Sequence, residues 1–193
     1  MKKKASIYAD GSCHLKSGCG GYAAVVLQNG VTIEVHGGDF HTTAIRMELM
    51  AIVAGINLLP SASEVTIYTD CRSIADGINR KDLRGYVKSY NRKNVDLWEQ
   101  ILQLSIVHKL SAQWIKGHSG DKLNQRCDYL ANGEAYKMEK ETPLRLKVFA
   151  EMLLDSFAPA EEIAKRQNMS VHTVRKYQEL FIIHRNLVTQ SAG

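Results

Sequence analysis

Two stretches of this 193-residue chain rhyme: Ile7-Tyr8-Ala9-Asp10-Gly11 and Ile67-Tyr68-Thr69-Asp70-Cys71 each set an apolar run immediately before an aspartate. Runs of this composition read as strands, so each acid falls at a strand's carboxyl end. If the two strands lie parallel in one sheet, Asp10 and Asp70 emerge side by side, where open α/β sheets hold their ligands.

Around this pair the chain reads as an alternation of elements. Residues 6–9, 22–28 and 31–35 are apolar and β-branched, and Asn29-Gly30 between the last two favours a tight hairpin, which predicts an antiparallel meander. Thr42-Thr43 then precedes Ile45, Leu49, Ile52, Val53 and Ile56 at helical spacing, closed by Pro60. A strand at 65–69, helices at 72–78 and 94–104, and a strand at 110–115 follow. Lys116-Gly117-His118-Ser119-Gly120 forms a Gly-rich loop that leads into a helix over 124–140. The order predicts an α/β domain with a mixed five-stranded sheet. Thr142-Pro143 breaks the pattern, and the remainder is helical in character, so the expected division is 1–140 and 141–193.

Composition excludes several classes. With 45% hydrophobic content and a formal charge of +5, the chain is not disordered, collagenous or a disulfide scaffold. No apolar run approaches the roughly 18 residues of a membrane span, so no membrane partner and a cytoplasmic address are expected. Cys13, Cys19, Cys71 and Cys127 form no C-x-x-C pair with histidine partners and read as reduced thiols. The positive charge is concentrated: Arg80, Lys81, Arg84, Lys88, Arg92 and Lys93 stand against Asp82 alone, a local excess equal to that of the whole chain. With Tyr86 and Tyr90 interleaved, this reads as a ridge that pairs with phosphates and lays rings on sugars or bases, or else as a solvated helix face.

Two further carboxylates occupy related contexts. Glu48 lies among Ile45, Met47, Leu49 and Ile52 early in a helix that must dock on the sheet, either at the edge of the core or in the same cluster as the aspartates. Asp128 takes the equivalent place in the last helix of the domain. Four converging carboxylates would repel one another unless divalent cations neutralised them, and Mg²⁺, with its preference for hard oxygens and retained waters, suits such a set. Mn²⁺ is the expected substitute. His118, ten residues before Asp128 in a Gly-flanked loop, could move a proton to a leaving oxygen; His14, His36, His41, His108, His172 and His184 have no such context.

Taken together, Tyr8-Ala9-Asp10-Gly11-Ser12-Cys13, Gly20-Gly21-Tyr22-Ala23, Arg46-Met47-Glu48-Leu49-Met50-Ala51, Tyr68-Thr69-Asp70, Asn94-Val95-Asp96-Leu97-Trp98 and the His118 loop with Asn124-Gln125-Arg126-Cys127-Asp128 closely resemble type 1 ribonuclease H of the bacterial kind, over residues 4 to 136. The resemblance implies a ribonuclease H-like sheet flanked by helices and cleavage of the RNA strand of an RNA–DNA hybrid to 5′-phosphate and 3′-hydroxyl ends. It assigns Asp10, Glu48, Asp70 and Asp128 to metal binding and His118 to the loop histidine. The basic segment 80–93 matches a protrusion that grips the DNA strand, and Thr43 falls where the family contacts the DNA backbone. Two metals about 3.5–4 Å apart can activate a water and stabilise the leaving oxygen in line. Little sequence preference is expected, because a hybrid is distinguished by groove shape and its 2′-hydroxyl. The chain departs from the family at Ala44 and Ile45, where two asparagines are common, and at Arg72, which replaces a glutamine and could meet a phosphate.

Residues 159–177 look like a helix-turn-helix. Ile163, Ala164 and Val174 would pack the two helices, Asn168 would take the left-handed turn and Ser170 would cap the second helix. Val171, His172, Thr173, Arg175 and Lys176 would face outward, and a helix over 144–157 would complete a small all-α bundle. The unit reads either as a tether to the hybrid or to duplex DNA, or as a packing or dimerising bundle; a monomer is expected. Two further readings of the whole chain are a non-catalytic nucleic-acid binder, disfavoured by the complete carboxylate set, and a strand-transferring relative, disfavoured by the basic protrusion and the His118 loop.

Overall fold

Strand pairing in the computed structural model realises the sequence rhyme as register. The structure describes residues 3–90, 93–154 and 157–190, and side chains for all of these except 89, 90, 154 and 183–190. In chain order the elements are β1 (Lys3–Cys13), β2 (Gly20–Gln28), β3 (Val31–Asp39), α1 (Ala44–Asn57), β4 (Ser63–Thr69), α2 (Arg72–Ile78), α3 (Leu83–Tyr90), α4 (Val95–Val107), β5 (Lys109–Trp114), α5 (Lys122–Leu154), α6 (Ala160–Gln167) and α7 (Val171–Gln190). The five strands form one mixed sheet in the order β3-β2-β1-β4-β5. β1 pairs antiparallel with β2 and parallel with β4, with Ile7 opposite Ile67 and Tyr8 opposite Tyr68. Asn29 and Gly30 carry the β2–β3 turn at φ of 53° and 77°, as two-residue hairpins of this twist require.

Alternation along the strands divides the core. Ala5, Ile7, Ala9, Ala24, Val26 and Ile67 pack on the face covered by α1, with Leu49, Ile52 and Ile56. Ala23 and Val25 turn to the opposite face, against Cys127 and Ala131 of α5. Each fully buried Ile or Leu contributes about 1.5–3 kcal/mol, so these two layers fix the sheet's register against slippage. Ile45 does not join the layer: it is 42% exposed, whereas Met47, in the same first turn of α1, is fully buried.

Several elements outrun the sequence reading. β1 extends to Lys3 and Cys13 because β2 and β4 satisfy its backbone whatever the side chains there. More substantially, the helix expected to stop at 140 and break at Thr142-Pro143 continues as α5 to Leu154, with Pro143 inside it. A mid-helix proline removes one N–H and costs about 3 kcal/mol. Val148 and Met152 on the following turns are buried, which offsets that cost.

The chain divides into two compact units, Met1–Glu139 and Lys140–Gly193. In the second, Val148, Met152, Ile163, Ala164, Val174 and Tyr177 form a small core, with Phe149 and Phe181 edge to face at 5.2 Å. Asn168 ends α6 in the left-handed conformation (φ 52°, ψ 52°), and the Ser170 hydroxyl accepts the Thr173 N–H at 3.1 Å. Among the described residues, no helix is long and apolar enough to cross a membrane.

Candidate active site

Asp10 lies within β1 and Asp70 directly after β4, each two residues beyond the paired Tyr8 and Tyr68, and α1 brings Glu48 to them. A Cβ on Gly11 would overlap the Glu48 backbone nitrogen, so glycine is what lets α1 approach β1 this closely. Thr43 caps α1 by accepting the Arg46 N–H at 3.3 Å, which sets where the helix begins. One carboxylate oxygen from each of Asp10, Glu48 and Asp70 lies within 4.8 Å of the other two.

Neighbouring groups hold two of the three carboxylates and the backbone of the third residue. The Gly11 N–H donates to Asp10 Oδ1 at 2.7 Å, and the buried Thr69 hydroxyl donates to Glu48 Oε2 at 3.3 Å. Trp114 Nε1 donates to the Asp70 carbonyl at 2.8 Å, tying β5 to the end of β4. A Cβ on Gly117 would sit 2.5 Å from Asp70 Oδ2, so the loop passes directly over that carboxylate.

The electrostatics are those of a site awaiting positive charge. Asp10 is 8% exposed, and burial, followed by the Asp70 and Asp128 charges, pushes its pKa up to about 7. Glu48, 6% exposed, is raised well above the usual carboxylate range by burial and then by Asp10 and Asp70. Three hard, mutually repelling oxygen ligands fit a small divalent cation such as Mg²⁺ or Mn²⁺.

Asp128 stands apart from the three. It lies close enough to raise Asp10 but outside the 4.8 Å group, with Oδ1 accepting from Asn132 Nδ2 at 2.7 Å. His118 is exposed in the loop between β5 and α5, at φ 52°, beside the Gly117 that covers Asp70. Arg72 is exposed, with its guanidinium 4.1 Å from the centroid of the Trp114 ring. Sequence reading did not single out Thr69, Trp114 or Asn132. The spacing of four between Asp128 and Asn132 was the available signal for the last of these.

The basic ridge is only partly as expected. Arg80, Lys81, Arg84, Lys88 and Lys93 are exposed on and around α3, while Arg92 and the Tyr90 side chain lie outside the described residues. Tyr86 is not a free stacking ring. It is buried edge to face against Trp98 at 5.3 Å, because its position on α3 faces α4, and Arg80 caps its ring at 5.0 Å. In the second unit His172, Arg175 and Lys176 are exposed and Thr173 is half-buried; Arg175 meets Glu161 at 2.6 Å and Lys176 meets Glu141 at 2.7 Å.

The RNase H family model matches residues 2–136. Ribonuclease H of Campylobacter concisus is 36% identical over 143 residues, covering 74% of this chain and 99% of that protein. Ribonuclease H of Pelobacter propionicus is 42% identical over 131 residues, covering 65% and 80%. Among solved structures, LC9-RNase H1, described as a type 1 RNase H with the type 2 active-site motif, aligns with a TM-score of 0.61 at 25% identity, over 72% of this chain and 74% of that one. The N-terminal RNase H domain of a Mycobacterium tuberculosis protein, at 20% identity, shares the fold with a TM-score of 0.61 over 72% and 99%. The matched segment carries the sheet and the carboxylate cluster and leaves the second unit outside. This chain therefore belongs to the RNase H family, as a type 1 ribonuclease H.

Proposed function

We propose that the chain is an endoribonuclease that hydrolyses the RNA strand of RNA–DNA hybrids by two-metal-ion catalysis, giving 5′-phosphate and 3′-hydroxyl ends. The observation that carries this reading is the convergence of Asp10, Glu48 and Asp70 oxygens within 4.8 Å in a chain of this family. Asp10, Glu48 and Asp70, with Asp128 beside them, would hold the ions. Two bound Mg²⁺ ions would supply an activated water and charge stabilisation of the leaving oxygen. The chain's own contributions are positional. Thr69 and the Gly11 N–H fix two carboxylates before any ion arrives, and His118, exposed on a loop next to Asp70, is suited to passing a proton to the departing oxygen. Arg80, Lys81, Arg84, Lys88 and Lys93 offer exposed charge for the DNA strand's phosphates, and Thr43 and Arg72 offer further contacts near the cluster.

The second unit, on this reading, tethers the enzyme to nucleic acid through His172, Thr173, Arg175 and Lys176. A packing or dimerising role draws on one observation, the engagement of Arg175 and Lys176 by Glu161 and Glu141. Exposed ion pairs are worth about 0–1 kcal/mol, so phosphates can displace those carboxylates and the tether reading stands.

Cleavage of labelled hybrid, duplex DNA and duplex RNA, each with Mg²⁺, Mn²⁺ or a chelator, tests the assignment. The expected outcome is cleavage of the hybrid alone, in the RNA strand, and only with metal. Cleavage that survives chelation would overturn the metal-dependent reading.

A further inference from the structure

We propose that Asn132 is a positioning residue for Asp128, with Ser12 fixing the orientation of its amide. The inference rests on the reading of Asp128 as a metal ligand. Asn132 lies one helical turn after Asp128 on α5, while Ser12 lies two residues after Asp10 on β1. The Ser12 hydroxyl donates to Asn132 Oδ1 at 2.6 Å. The acceptor-only oxygens of Asp128 sort the two ends of the amide: the nitrogen faces Asp128, and the oxygen is left to face β1, where the Ser12 hydroxyl holds it. Nδ2 donates to Asp128 Oδ1 at 2.7 Å and to the Asp128 carbonyl at 3.0 Å, so the nitrogen engages both the side chain and the backbone of that residue.

The consequence for Asp128 follows from its place outside the three-carboxylate group. A carboxylate that is not held by the cluster needs an external partner to keep one orientation, and metal-binding side chains are commonly oriented by such outer hydrogen bonds. With Oδ1 occupied by Asn132, Asp128 has one oxygen fixed on the α5 side and Oδ2 left for a cation. The relay also links β1 to α5, so the strand bearing Asp10 and the helix bearing Asp128 are set relative to each other by side chains and not by backbone packing alone.

The test uses the full chain. Asn132→Ala is expected to raise the Mg²⁺ concentration for half-maximal hybrid cleavage about 10-fold, with turnover at saturating Mg²⁺ nearly unchanged. Asn132→Asp keeps the shape but sets a second negative charge against Asp128, and is expected to do worse than Asn132→Ala; a packing role would leave it the milder change. Ser12→Ala is expected to produce a smaller shift, and Ser12→Ala combined with Asn132→Ala no more than Asn132→Ala alone, because Ser12 acts through the amide. A readout independent of activity is the Asn132 side-chain amide in an NMR titration with Mg²⁺, expected to move in the wild type and to stay still in Asp128→Asn. Half-maximal Mg²⁺ unchanged in Asn132→Ala, or a silent amide while Gly11 beside Asp10 responds, overturns the proposal. Wild-type metal dependence in Asp128→Asn would instead overturn the underlying assignment of Asp128.

Discussion

Tyr8 and Tyr68 stack across the parallel β1–β4 pair, with ring centroids 4.5 Å apart and planes 11° from parallel. They are partners in the strand register, and the aspartates that follow each by two residues are consequently level with one another. The stack therefore reports the register on which the carboxylate cluster depends. Stacked aromatic pairs contribute about 0.5–1.5 kcal/mol beyond burial, so Tyr68→Ala is expected to lower stability by at least that much while leaving the cluster's composition untouched. Chemical denaturation checks the loss, and metal-dependent cleavage by the folded fraction is expected to persist.

Asp10→Asn and Asp70→Asn are each expected to reduce hybrid cleavage by about 10³-fold or more, the scale of several kcal/mol of transition-state stabilisation. Initial rates at saturating Mg²⁺ decide the matter, and wild-type rates in either variant would remove the cluster from the chemistry.

The same substitution at Asp10 has an opposite effect on stability. Its folded pKa of about 7 lies above the ordinary 3.8, so between those values the folded protein binds more protons than the unfolded chain. Metal-free stability should accordingly fall as pH rises from about 4 to about 7, and Asp10→Asn should relieve the loss, by about 1–3 kcal/mol at pH 8. Melts in chelator at pH 5 and pH 8 measure it. Added Mg²⁺ should stabilise the wild type more than the variant, since binding favours the folded state. A variant that melts below the wild type at pH 8 without metal would contradict the assigned strain.

Gly11→Ala tests the approach of α1 to β1. A methyl there overlaps the backbone of Glu48, so the helix must retreat, at about 1–3 kcal/mol, and Glu48 with it. Weaker Mg²⁺ binding should accompany the lost stability; a fall in stability with unaltered metal affinity would separate packing from the site.

In the second unit, Arg175→Ala with Lys176→Ala should reduce the salt dependence of hybrid or duplex binding, by roughly 0.9 in log–log slope for each phosphate no longer neutralised. An unchanged slope would assign the unit to packing.

Legibility in the sequence followed physical simplicity. Strand register, the Asn29-Gly30 turn and the left-handed Asn168 are local rules written into short stretches, and all are realised. The α/β order and three of the four expected carboxylates were readable because apolar periodicity and acid placement coincide; Asp128, expected in the same group, lies outside it. What escaped depends on tertiary neighbours. Pro143 reads as a stop, yet the buried turns after it carry α5 onward. Tyr86 looks like a surface ring until α4 covers it. Asn132 acquires a role only when Ser12, 120 positions away in the chain, comes within 2.6 Å.

The inward turn of Tyr86 bears on how the enzyme finds its target. On the proposed reading, Arg80, Lys81, Arg84, Lys88 and Lys93 would attract phosphates without help from the Tyr86 ring, which α4 locks inside the protein. Capture through these charges should be quick and easily undone by ions.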